Sequence, residues 1–258
     1  VYYGAVLAWG VQYTIYSVNA AWGDDPTTFF TDTFLQVVPG DTFSWAPAWA
    51  VMIPLALVWI LVLFVIGRGL SKGVEAANKI FLPLLVILFL ALVIRALFLP
   101  GAVEGLNAFF TPNWAALADP KVWLAAFAQI FYSLSVGFGI MLTYASYLQR
   151  KSNLTGTALV AGFANSSFEI LAGIGVFSAV GFMAHQGGVS VSEVEGLTGP
   201  ILSFVTFPKI ISMMPGGPIF GVLFFSSLVL AGVTSLLSLL QVVSGGLQDK
   251  FGWSPARS

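Results

Sequence analysis

The sequence predicts an all-α polytopic membrane protein that crosses the bilayer about six times. Three observations carry this. Of the 258 residues 58% are hydrophobic and only 8% charged, too few charges to clothe a soluble domain of that size. The apolar residues gather in runs of about 20 or more, the length a helix needs to cross ~30 Å of hydrocarbon. Charge, glycine or proline stands at the ends of each run, where membrane helices stop.

Taken in order, the apolar windows place spans at residues 1–20, 48–66, 80–99, 122–148, 155–184 and 219–247. Basic residues orient them. Arg68, Lys72 and Lys79 follow the second span, Arg150 and Lys151 the fourth, and Lys250 and Arg257 the sixth, so seven of the ten Lys and Arg share one side. By the positive-inside rule that side is cytoplasmic. Asp24, Asp25, Asp32, Asp41, Glu104, Asp119, Glu193 and Glu195, eight of the eleven acidic residues, fall on the other. The chain starts at Val1 inside an apolar run, without Met or a basic n-region, which predicts a fragment without a signal peptide.

Two connections are unusual. "LTGPILSFVTFPKIISMMPGG" (residues 197–217) is too short and proline-punctuated to span, yet too apolar for a plain loop. A hairpin dipping toward the bundle and an interfacial loop on lipid headgroups are both consistent with it. The connection after the first span is long, acidic and expected to be partly ordered, with no specific chemistry in it.

The fourth span asks for explanation. "AQIFYSLSVGFGIML" places Gln129, Tyr132, Ser133, Ser135, Gly137 and Gly139 where lipid favours Leu or Val. A small-residue packing face is the ordinary reading. Crowding of these residues, rather than a spacing of four, points instead to a broken helix whose freed backbone groups form a site. In the fifth span Asn165 and Glu169 are four apart and share a helix face. A carboxylate inside a span costs at least ~2.5 kcal/mol on insertion scales, so Glu169 reads as functional, with a protonated structural Glu as the alternative. In the sixth span the Ala231 carbonyl and the Thr234 and Ser235 hydroxyls fall on one turn. Three neutral oxygens suit a hard cation, although such hydroxyls often bond back to their own helix.

Enzyme chemistry has little support. His185 is the only histidine and lies at a loop edge; cysteine is absent. Glu169 is the only acidic residue these bounds place deep within a span, so neither a paired acid nor a serine with its base is legible. The net charge of −1 gives no basis for a nucleic-acid partner.

Together, "QIFYSLSVGFG", "TYASYLQ", "ANSSFEILAG", "FPKIISMMPGG" and "LAGVTSLLSLLQ", in this order, resemble the neurotransmitter:sodium symporter family, most closely its bacterial amino-acid branch. The resemblance implies broken helices and binding sites near the membrane midplane. The resemblance covers essentially the whole chain. It implies helices three to eight of a roughly twelve-helix transporter built from two inverted five-helix repeats, so this stretch would not transport alone.

The resemblance also implies roles. Tyr3 would meet the substrate carboxylate, Tyr132 would cap the substrate as an aromatic gate, and Ser133, Ser135, Phe138, Ser235 and Leu239 would complete its pocket. Two sodium sites follow: Ser133 and Asn165 in the first, and Ala231 through its carbonyl with Thr234 and Ser235 in the second. Chloride-independent members carry a carboxylate at the position of Glu169, where it would act as a built-in anion beside Gln129 and Ser133, with proton counter-movement in the return step. Tyr147 and Asp249 match an intracellular gate. The expected protein is a sodium-coupled symporter of a small neutral, hydrophobic amino acid in the plasma or inner membrane, working by alternating access. Its partners would be substrate, sodium and lipid, with a homodimer allowed and no organic cofactor. A proton- or cation-coupled carrier of the same broad fold and a non-transporting bundle are the alternatives.

Overall fold

The computed structural model describes residues 2–37, 46–149, 151–194, 196–197 and 199–254, the side chains of 70–72 aside. Asp41, Arg150, Glu195, Arg257 and the Lys72 side chain, used above for orientation, lie outside the described residues. Among the described residues four helices are long and apolar enough to cross a membrane. They are α2 (Trp49–Gly67), α3 (Ala76–Leu97), α7 (Leu154–Gly187) and α9 (Gly217–Phe251). The first span is a shorter helix, α1 (Tyr2–Tyr16). The fourth is interrupted: α5 (Pro120–Ser133) stops, and α6 (Ile140–Ser146) resumes after a gap.

Each boundary has a local cause. Pro120 opens α5, where a missing N–H costs nothing, and Asp119 accepts from the Lys121 N–H as its cap. Asn153 caps α7 the same way through the Gly156 N–H. At 34 residues α7 is about 51 Å long, so it outruns the hydrocarbon and carries His185 beyond it.

The helices build one bundle. Helix α9 packs against α1, α2 and α3, and α7 packs against α3. The α1–α2–α9 seam is aliphatic, with Leu7, Val58, Val62, Val233, Leu236 and Leu237 buried in it. At the other end the core is aromatic. Tyr13 is fully buried and has Trp22, Phe204 and Phe225 around it at ring-centroid distances of 5.8, 5.1 and 5.2 Å. Arg68, Lys79, Lys151 and Lys250 stand at or beside ends of α2, α3, α7 and α9, and Asp119 caps α5.

Two segments differ from the window reading. Residues 197–217 form neither a hairpin nor a loop on lipid: Gly199–Met213 is one apolar helix, α8, with a π-type stretch at Leu202–Thr206. Phe204, Phe207, Ile210 and Ile211 on it are buried in the aromatic core. Trp22 Nε1 donates to Ser212 Oγ at 2.8 Å and Arg95 Nη2 to the Pro215 carbonyl at 2.9 Å, pinning its C-terminal end. The second is Ala102–Phe110, which composition assigns to a connection but which forms helix α4 against α7. Nine residues are too few to register as a span.

Helices α4 and α7 touch backbone to backbone. A Cβ on Gly105 would stand 1.8 Å from the Phe177 carbonyl oxygen, and one on Gly181 2.4 Å from the Gly101 carbonyl oxygen. Gly105→Ala is therefore expected to destabilise the bundle by about 1–3 kcal/mol, the usual cost of overpacking. Thermal unfolding in detergent checks this against Gly162→Ala, whose Cβ would meet nothing within 4 Å; equal melting temperatures for the two variants would contradict the close approach.

Candidate functional site

The site is organised by the gap between α5 and α6. Ser135, Gly137 and Gly139 have φ of +54°, +84° and +79°, a left-handed run that a helix cannot contain and that glycine tolerates at least cost. The chain turns here instead of continuing. Among the described residues the carbonyls of Val136, Gly137 and Phe138 accept no backbone hydrogen bond, so the gap exposes acceptors at a depth where water is scarce.

Ser133, the last residue of α5, ties this gap to α7. Asn165 Nδ2 donates to Ser133 Oγ at 2.7 Å, and Ser133 Oγ donates to Glu169 Oε1. Asn165 spends its amide nitrogen on this bond, leaving the amide oxygen as an acceptor. Glu169 is exposed on α7, and its described partner is Ser133. Gln129 lies one turn earlier on α5, also exposed, and no hydrogen bond joins it to Ser133 or Glu169 among the described residues.

A cavity of about 280 Å³ opens beside the gap. Tyr3, Tyr132, Ser133, Ser135, Phe138, Ser235 and Leu239 all line it, so α1, the gap and α9 bring together every residue expected to face substrate. Two lining residues were missed, Ile140 and Ser238. Ser238 follows Ser235 by three and Thr234 by four, so helical spacing could have found it. Tyr132 and Phe138 stand edge to face across 6.1 Å, and Tyr3 on α1 faces Ser235 on α9 across the cavity they share.

On α9, Thr234 Oγ1 donates to the Ala231 carbonyl at 2.8 Å. This is the back-bonded arrangement, and it also draws two of the three expected cation oxygens together. Ala231 and Ser235 line a smaller hollow of about 220 Å³ against α1. The donors here are hydroxyl and carbonyl, and at Asn165 an amide oxygen; such neutral hard oxygens fit an alkali or alkaline-earth cation and not a soft metal. Among the described residues no three His, Asp or Glu side chains converge as a metal cluster.

Tyr147 accepts a long hydrogen bond from Gln241 Nε2, 3.5 Å, on buried Gln241. Asp249 is two turns farther along α9 and exposed. The structure thus places Tyr147, at the end of α6, against α9, with Gln241 as its described partner.

Comparison with known proteins follows from this geometry. Residues 22–257 match the model of the sodium:neurotransmitter symporter family. The chain belongs to that family. An uncharacterized sodium-dependent transporter of Methanocaldococcus jannaschii is 39% identical over 98% of the chain and 51% of its own length. The sodium- and chloride-dependent creatine transporter 1 of Bos taurus is 34% identical over 86% of the chain and 34% of its own length. The crystal structure of MhsT in complex with L-phenylalanine superposes with a TM-score of 0.77 at 36% identity, covering 99% of the chain and 54% of MhsT. The chain spans about half the length of the first of these relatives and of MhsT. This stretch of the symporter family accordingly has an all-helical transporter fold, and its named relatives are transporters.

Proposed function

We propose that the chain forms helices three to eight of a sodium-coupled secondary active symporter in the plasma or inner membrane, carrying a small neutral, hydrophobic amino acid inward. The observation that carries this reading is the shared position of Ser133. It lines the cavity and also belongs to the Asn165–Glu169 network, so ion and substrate would meet at one residue. The substrate's ammonium would take the free carbonyls of the gap, and its carboxylate would face Tyr3. Sodium sheds a tightly held water shell, so Ser133 and Asn165 at one site, and Ala231, Thr234 and Ser235 at the other, would supply replacement oxygens at fixed distances. Occupation by both ligands would favour the closed form, and release on the other side would complete alternating access. Glu169 would balance the sodium charge, and proton counter-movement on the return step accords with that role.

Cargo follows from the cavity wall. Phe138, Leu239, Ile140 and the Tyr132 ring are apolar, and among the described residues no carboxylate or basic group lines the cavity. A charged side chain there would go unpaired, at a cost of about 2.5–3.5 kcal/mol or roughly a hundredfold in affinity. Competition against radiolabelled leucine in the intact transporter should rank leucine and phenylalanine at least that far above aspartate and lysine. Displacement by aspartate or lysine at leucine-like concentrations would refute the assignment. Omission of sodium should abolish leucine binding; binding that follows a proton gradient instead would favour the other carrier class.

A further inference from the structure

Helix α2 is apolar on both of its sides. Val58, Val62, Val65 and Ile66 are buried in the aliphatic seam. Leu57, Ile60, Leu61 and Phe64 are turned away from it and are 41–65% exposed. At 3.6 residues per turn these four form one stripe along the helix, and Arg68, the C-cap residue one turn beyond Phe64, continues it. The Arg68 guanidinium lies over the Phe64 ring, 4.3 Å from its centroid.

Arg68 is also the less neutralised of the two cations flanking the α2–α3 connection. Lys79 pairs with Glu75 at 2.8 Å, whereas among the described residues no carboxylate comes within 4 Å of Arg68. The ring occupies one face of the guanidinium. The N–H donors in its plane are left over, and they form the fork that matches two oxygens of a phosphate.

We propose that this side of α2 seats an anionic phospholipid, with Arg68 on the phosphate and Phe64, Leu61, Ile60 and Leu57 along an acyl chain. The dimensions agree. Leu57 lies eleven residues before Arg68, about 16 Å along the helix, and one leaflet is half of a hydrocarbon core about 30 Å thick. Cation and apolar stripe thus follow one another as the head and tail of a lipid do. A free phosphate would account for Arg68 and not for the stripe. Lys250 offers the contrast: it too lies over a ring, that of Phe251, at 5.4 Å, but Leu247, Leu240 and Leu239 on the turns before it are half-buried, and Asp249 adjoins it. The inference goes beyond the transport reading and does not depend on cargo or coupling ion, since it uses only the side of α2 turned from the bundle.

The intact transporter, delipidated in detergent and offered phosphatidylglycerol and phosphatidylcholine in equal amounts, tests this by native mass spectrometry. The quantity read is the ratio of the two lipids in protein carrying one lipid. Arg68→Gln should lower that ratio about fivefold, the effect of one cation at an anionic lipid surface. Arg68→Lys keeps the charge without the fork and should lower it by less, which also serves if the glutamine variant does not fold. Lys250→Gln removes the same charge from a helix end that lacks the stripe, and the ratio should stay as it is. Excess inorganic phosphate should not displace phosphatidylglycerol. An unchanged ratio in folded Arg68→Gln, an equal fall in Arg68→Gln and Lys250→Gln, or displacement by inorganic phosphate would overturn the proposal. So would a disulfide between two copies of an Ile60→Cys variant in the membrane, which would put a second copy on the stripe in place of lipid.

Discussion

If Glu169 is the built-in anion proposed above, Glu169→Ser is expected to make transport depend on chloride. The carboxylate is exposed on α7, in contact with Ser133, which also faces the cavity and the proposed first sodium site. At an effective dielectric near 20, opposite unit charges about 4 Å apart attract by ~4 kcal/mol. Losing a third of that costs about tenfold in sodium affinity. Serine leaves a hydroxyl beside the Ser133 hydroxyl and the Asn165 amide, donors suited to an anion, so chloride could return the missing charge. Uptake by Glu169→Ser should fall at least about tenfold when chloride is replaced by gluconate and recover when chloride is restored, while the unmutated protein works equally in both. Equal uptake by the variant in both salts would reduce Glu169 to a structural hydrogen-bond acceptor for Ser133.

Removing both hydroxyls of the α9 turn, Thr234→Ala with Ser235→Ala, is expected to weaken sodium binding about a hundredfold or more. Changing only the partners of ligands in metal sites already costs about 10–100-fold, and here two ligands would go. The fold should tolerate the change. Thr234 bonds within its own turn, to the Ala231 carbonyl, and Ser235 is exposed toward the cavity, so neither holds two helices together through a buried contact; alanine is also the better helix former. Sodium titration of leucine binding measures the effect, with the melting temperature as control. An unchanged sodium midpoint in a well-folded variant would remove the α9 turn from the ion pathway. A parallel loss of melting temperature and of sodium binding would mean that the two hydroxyls act on folding and not on the ion.

The sequence by itself determined the class of the protein and the place where a helix must break. Those features are local. Hydropathy over twenty residues decides whether a segment prefers lipid, and a crowded Ser-x-Ser-x-Gly-x-Gly run cannot hold a helix ladder where no water can repair it. Asn165 and Glu169 were legible as one face because four residues is one helical turn. What only the tertiary structure decided were the pairings between distant segments. Ser133 meets Glu169 across 36 positions, and Tyr144 meets Ser238 across 94. Helix α4 became visible only through its seat on α7, where Gly105 and Gly181 remove the side chains that would hold the backbones apart. Residues 199–213 follow the same logic: their apolar content fits lipid or protein equally, and the aromatic core around Tyr13 chose protein. Side-chain partners are set by which helix faces the bundle brings within hydrogen-bond reach, and that information lies in the packing, not in any one stretch of chain.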